Sequence, residues 1–299
     1  MNPQMPSPFR SLCVALAALA HSAPAVAGEV DLEIVLAVDG SGSIDAAEYR
    51  LQLAGYADAL RDPSVQAAAT SGPLGRVAVA MMVWSDAAFR KFETDWFVID
   101  SAQAADRYAD IVEVFYHHSG RTYGMGGGGT GIGAGIAYAL GMLEENGIAA
   151  RRRTIDVSGD GIETKPWFRK AVELPEARAM ADAAGVTVNG LAILADFDAL
   201  DLYYEENVIT GPGAFVIEAN DFGDFAEAIR RKLWLEFMSP VAALPGSGSS
   251  SRPAQQHAGI RRSGGGGAME EVEGEDRIAR HPLAPQVHVP EVEERPRMP

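Results

Sequence analysis

Four short apolar runs constrain this chain more than any other feature: Glu33-Ile-Val-Leu-Ala-Val38, Arg76-Val-Ala-Val-Ala-Met-Met-Val-Trp84, Thr154-Ile-Asp-Val-Ser158 and Val186 to Leu194. All are too short to cross a bilayer as helices, and each predicts a strand. The first two are so continuously apolar that both faces must be buried, which requires cover above and below the sheet. Helical patterns supply that cover. Asp45-Ala-Ala-Glu48 has the form of a capping box, and Tyr49, Leu53, Tyr56 and Leu60 follow at helical spacing until Asp62-Pro63. Further helices are expected over 102–114, over 132–143 with Ile132, Ile136, Ala139 and Leu143 on one face, and over 175–184, 200–205 and 222–237. Residues 89–99 alternate polar and apolar, as an edge strand does, and 214–217 predict a last strand. The order β, α, β, β, α, α, β, α, β, α, β, α implies an α/β fold: a doubly wound, mostly parallel six-stranded sheet with helices on both faces.

The two ends differ from this middle. Arg10, an apolar run from Leu12 to Ala20, and the small-x-small triplet Ala25-Val-Ala27 before Gly28 predict a signal peptide over residues 1–27. Its removal takes away Cys13, the single cysteine, so disulfides cannot stabilise the remainder. No later run has the ~20 apolar residues a spanning helix needs, so an exported protein, periplasmic or secreted, with no transmembrane segment is expected. Beyond Met238, Gly-Ser-rich and Pro-rich stretches cannot bury a core, and residues 239–299 predict a disordered low-complexity tail. The formal charge of the whole chain is −16. The leader carries one Arg and no acid, and the tail nets −1, so residues 28–238 themselves carry −16. Such a field repels nucleic acid and anionic membranes and concentrates cations.

Oxygen side chains collect where the predicted strands end. Asp39-Gly-Ser41-Gly-Ser43 follows the first strand, Asp160-Gly161 follows the fourth, and Thr130 follows the glycine run 126–129 and directly precedes a helix. In open α/β sheets the carboxyl ends of the strands are where ligands bind. Two carboxylates and three hydroxyls form an all-oxygen set of low charge, which suits a hard cation such as Mg2+, with Mn2+ or Ca2+ as alternatives. An incomplete protein shell leaves room for a ligand oxygen. Thr122 is the weaker candidate for the place given to Thr130.

In this combination and order, Asp39, Ser41, Ser43, Thr130 and Asp160 resemble the metal-ion-dependent adhesion site (MIDAS) of von Willebrand factor type A (vWA) domains, over roughly residues 30–238. The segments Ile155-Asp-Val-Ser-Gly-Asp-Gly161 and Val186-Thr-Val-Asn-Gly-Leu191 resemble, more narrowly, an exported bacterial vWA subfamily of unassigned function. The resemblance implies a Rossmann-like vWA fold with one antiparallel edge strand. It also implies that the two serines ligate the metal directly and the two acids directly or through water, while the threonine changes coordination between states. The implied function is a non-enzymatic module whose cation captures an Asp or Glu of a protein partner.

Around this set, His117, His118, Arg121 and Tyr123 precede Thr130, and Glu163, Trp167 and Phe168 follow Asp160; all seven are candidate partner contacts. A metal-dependent hydrolase is the competing reading, and Glu163, His117 or His118 would then have to serve as general base. Other classes fit poorly. Gly126-x-Gly128-x-x-Gly131 lacks the P-loop Lys-Ser/Thr, an EF-hand would need glycine at Ile44 and an acid at Arg50, and no Gly-x-Ser-x-Gly elbow occurs. The paired histidines lack the spacing of a zinc site. Asp156, an acid inside an apolar strand, requires a buried partner, and Asn189 on the neighbouring strand is the expected one.

Overall fold

The computed structural model describes residues 28–123, 128–165 and 171–238, so the expected leader, the expected tail, Trp167 and Phe168 lie outside the described residues. In chain order the elements are β1 (Glu29–Val30), β2 (Leu32–Asp39), α1 (Ala46–Arg61), α2 (Pro63–Ala69), β3 (Val77–Trp84), β4 (Phe92–Glu93), β5 (Phe97–Ile99) and α3 (Ala102–Tyr123). There follow α4 (Ile132–Glu145), β6 (Ala149–Ala150), β7 (Arg153–Gly159), α5 (Leu174–Ala184), β8 (Thr187–Ile193), α6 (Leu200–Asn207), β9 (Val216–Ala219) and α7 (Phe225–Met238). Strands β3, β2, β7, β8 and β9 lie side by side and parallel, while β4 and β5 pair antiparallel with β3 at the outer edge. The doubly wound, mostly parallel sheet expected from the pattern is present, with helices on both faces. A separate parallel pair, β1 with β6, ties the start of the described chain to the loop before β7.

The edge strand expected over 89–99 is split in two, which raises the count to seven. Thr94 causes the break: its hydroxyl accepts the Met81 amide at 3.0 Å, so a side chain replaces a strand partner there. Helix α1 begins as its capping box predicts, with Asp45 Oδ1 accepting from the amides of Ala47 and Glu48, and Glu48 Oε2 accepting from the Asp45 amide. Asp62 ends α1 and also caps α2, a helix the periodicity did not reveal because it is only 7 residues long. Helix α7 starts three residues later than expected, because Asp221 Oδ1 accepts from the amides of Gly223 and Asp224 and holds 221–224 as a turn.

Alternation along β2 divides the core. Ile34, Leu36 and Val38 pack towards α1, α3 and α7, with Tyr49, Leu53, Tyr56 and Leu60 as expected. Val35 and Ala37 face the other way, against Ile132, Ile136, Ala139 and Leu143 of α4, with Ala177 and Ala181 of α5. Both layers lie on strands whose carboxyl ends share one rim.

The expected Asp156–Asn189 hydrogen bond is not made. The two residues stand in register on β7 and β8, but Asp156 Oδ1 pairs with Lys232 Nζ of α7 at 2.6 Å. Lys232 also reaches Glu236 Oε1 at 3.0 Å, and Asn189 donates to that same oxygen at 2.7 Å while accepting from the Phe215 amide at 2.9 Å. Lys232, Asp156 and Glu236 are all 0 % exposed. Burial raises the Asp156 carboxyl above its ordinary range, with Lys232 opposing the shift. The sequence hid this partner inside Arg230-Arg231-Lys232, a run that resembles a solvated face.

A second buried acid makes no ion pair among the described residues, although the charge of Arg153 partly opposes its rise. Glu33 Oε1 accepts from Asn146, Oε2 has no hydrogen-bond partner, and burial pushes the carboxyl up to about 7.

Replacing Lys232 with Met leaves Asp156 buried without its cation and Glu236 with Arg152 alone, 4.0 Å away. Urea denaturation should show a loss of about 3–5 kcal/mol at pH 7, shrinking at acid pH as the carboxyls protonate. Glu33→Gln should act in the opposite direction. A carboxyl raised from 4.5 to about 7 contributes stability below 4.5 that is lost as pH climbs to about 7. The variant should therefore melt above the wild type at pH 8, and its melting temperature should vary less between pH 4.5 and 7.

Candidate metal centre

Strands β2 and β7 are paired in register from Glu33↔Arg153 to Val38↔Ser158, so Asp39 and Asp160 emerge together at the carboxyl rim. The chain turns sharply after each. Asp39 Oδ1 accepts the Ser41 amide at 2.7 Å, which folds Gly40-Ser41 back over the strand end, and Gln52 of α1 donates to the Asp39 carbonyl at 3.1 Å. Ser43 donates to Asp160 Oδ1 at 2.7 Å and its hydroxyl lies 3.3 Å from that of Ser41. Thr130 closes the group: a Cβ placed on Gly161 would stand 3.3 Å from its Oγ1. Asp39, Ser41, Thr130 and Asp160 are buried and Ser43 is exposed, so the group opens to solvent on one side only.

All five residues singled out from the sequence thus converge. Among the described residues no cluster of three or more His, Cys, Asp or Glu side chains could hold a metal ion. This group differs in kind, being two carboxylates with three hydroxyls. Its electrostatics favour an added cation. Asp39 is pushed up to about 8 by burial and then by the nearby Asp160 charge, against the pull of the Ser41 amide. Asp160 is raised by burial, with Ser43 opposing. Asp39 Oδ2 is buried with no hydrogen-bond partner, a cost that a bound cation or a donor would offset. A hard divalent ion therefore fits the donor set.

The loop carrying Thr130 is held by residues that the sequence did not single out. Thr164 Oγ1 accepts the Thr130 amide at 2.9 Å, and the Thr164 amide donates to the Thr130 carbonyl at 2.9 Å. On the other side, Asp86 Oδ2 accepts the Gly129 amide at 3.3 Å, Gly131 donates to the Ser85 carbonyl at 3.2 Å, and Gly42 donates to the Gly128 carbonyl at 3.2 Å. Asp86 sits just past β3, and the rule that drew attention to Asp39 and Asp160 also finds it. Nothing local marks Thr164. Tyr204 of α6 is also fully buried at this rim, its hydroxyl without a hydrogen-bond partner.

The peripheral candidates fare differently. Glu163 is half-buried and its Oε2 accepts the Gly133 amide at 3.1 Å, which makes it the cap of α4, where Gly131 has no side chain to serve. Burial pushes it up to about 7, opposed by the helix amides. A carboxylate engaged with a helix terminus is poorly placed to take a proton from substrate. Helix α3 runs on through residues 115–123, nine residues beyond its expected end. His117 there is exposed, while the side chains of His118, Arg121, Thr122 and Tyr123 lie outside the described residues.

Residues 29–241 match the family described as Protein of unknown function (DUF1194). No curated protein matches the chain. Among solved structures it is similar to the pilus adhesin SpaC from Lactobacillus rhamnosus GG, at 14% identity over 70% of this chain and 30% of that one, TM-score 0.46. It is also similar to proximal thread matrix protein 1 from the mussel byssus, at 17% identity over 70% and 46%, TM-score 0.46. A third is the vWF domain of the type V pili tip protein Mfa5 from Porphyromonas gingivalis, at 11% identity over 68% and 94%, TM-score 0.41. The chain spans less than half the length of the first two.

Thr164→Val removes the acceptor of the Thr130 amide. It should cost about 1 kcal/mol in urea denaturation and speed hydrogen exchange at Thr130, whereas Thr164→Ser should behave as wild type.

Proposed function

The chain belongs to the DUF1194 family, and from that premise we propose that it is an exported, non-enzymatic protein-binding module of vWA type that takes a divalent cation at the β2–β7 rim. Mg2+ suits the rim best, with Mn2+ and Ca2+ as substitutes, because two carboxylates and three hydroxyls are few and weakly charged donors. Asp39, Ser41, Ser43, Thr130 and Asp160 would hold it. When bound, the ion would supply an electrophilic position for an Asp or Glu oxygen of a partner protein. The observation that carries the reading is the gathering of these five oxygen side chains at one rim, with Ser43 on Asp160, Ser41 beside Ser43 and Thr130 beside Gly161.

The chain's own residues fit such a task. Ser41 and Ser43 contribute neutral oxygens, so they add ligands without cancelling the attraction for an incoming anion. Asp39 is anchored by the Ser41 amide, Asp160 by Ser43, and the Thr130 loop by Thr164 and Asp86, so the donors stand ready on a rigid sheet end. Glu163 is committed to α4, which favours binding over a hydrolytic role. Export rests on the leader-like residues 1–27. No helix among the described residues is long and apolar enough to cross a membrane.

Calorimetric titration of Mg2+, Mn2+ and Ca2+ into the purified protein tests the reading. Saturable binding near one ion per chain is expected, abolished in Asp39→Ala and in the double variant Ser41→Ala with Ser43→Ala, while circular dichroism shows the fold retained. Equal binding by wild type and Asp39→Ala, or none by either, would sink the proposal.

A further inference from the structure

Tyr204 is out of place in an ordinary core. Its hydroxyl is buried without a hydrogen-bond partner, which costs stability unless something offsets it. What lies beside it is informative. A Cβ placed on Gly159 would stand 2.7 Å from the Tyr204 hydroxyl and 2.7 Å from Asp39 Oδ2. The two unsatisfied oxygens therefore open onto one small space at the end of β7, and glycine keeps that space clear. The ring reaches there by lying against β8, where a Cβ on Gly190 would stand 2.7 Å from Tyr204 Cδ1. Two glycines in adjacent strands thus bring a phenol from α6 to the back of the metal centre.

The two oxygens of Asp39 then have different surroundings. Oδ1 is anchored by the Ser41 amide, and Oδ2 faces the phenol. We propose that Tyr204 is a positioning residue for Asp39, donating to Oδ2 through one water in the space that Gly159 leaves clear and so fixing the plane of the carboxylate that a cation would meet at the rim. The inference rests on the cation-binding reading above and adds a residue to it. The hydroxyl is a donor that a carboxylate can use, and the phenol cannot turn away because its ring is packed between α6 and β8. Asp39 is held from both sides, so each oxygen keeps lone pairs for the rim and the carboxylate does not have to reorient when an ion arrives. Supporting donors of this kind typically change metal affinity 10–100-fold.

Tyr204→Phe removes one oxygen and keeps the ring. Mn2+ is the probe, its free concentration read by electron paramagnetic resonance, with thermal melts of the same proteins in chelator. At least a tenfold weaker Mn2+ affinity is expected, together with a cation-free melting temperature within a few degrees of wild type, because the ring stays packed and a single hydrogen bond to a buried carboxylate is lost. A residue with a merely structural role would lower the cation-free melting temperature by much more than that, and such a result overturns the assignment. So does wild-type Mn2+ affinity in Tyr204→Phe. Absence of Mn2+ binding by the wild-type protein is a separate result, which overturns the cation-binding reading and this assignment with it.

Discussion

Parallel register between β2 and β7 is the constraint on which the rest depends. It sets Val38 beside Ser158 and therefore delivers Asp39 and Asp160, far apart in sequence, to one rim. An antiparallel pair would send one of them to the opposite end of the sheet. Parallel pairing in turn demands long crossovers and cover on both faces. The helices that provide this cover carry the rest of the group: α1 follows the Asp39 turn, α4 starts just after Thr130, and α6 brings Tyr204.

The parts of this arrangement visible in the sequence are those encoded locally. The Asp45 capping box, the Tyr49–Leu60 stripe and the Ile132–Leu143 face depend on residues within a few turns of each other, and all are in place. The five oxygen residues were legible because Asp39, Ser41, Ser43 and Asp160 follow strand ends and Thr130 stands between a glycine run and a helix start, where short motifs mark them. What escaped depends on pairings across the fold. Asp156 signalled its need for a partner, yet Lys232 rather than Asn189 provides the charge, and helical spacing alone does not tell a buried lysine from a solvated one. Thr164 and Tyr204 carry no local signature at all. The break between β4 and β5 turns on one threonine hydroxyl competing with a backbone partner.

Charge is distributed by a consistent logic. The domain is strongly acidic, and four of its buried carboxylates form two contrasting pairs. Asp156 and Glu236 share Lys232 inside the core, and Arg152 lies 4.0 Å from Glu236 as a second cation. Asp39 and Asp160 have no described lysine or arginine paired with them, only hydroxyls and amides. The first pair is internally balanced and serves the fold. The second is left electrically incomplete at the carboxyl rim of the sheet, beside the exposed Ser43.

The buried lysine also bears on the order in which the chain can become native. Lys232 lies on the last described helix, while the acid it pairs with and the asparagine beside its other partner lie on β7 and β8. Until α7 docks, Asp156 must remain hydrated, so β7 cannot be sealed on that face. A chain emerging from its amino end would hold its central strands open to water, and closure would come in a single late step when the final helix arrives. Commitment to the native state is thereby deferred until nearly all of the described sequence has been delivered.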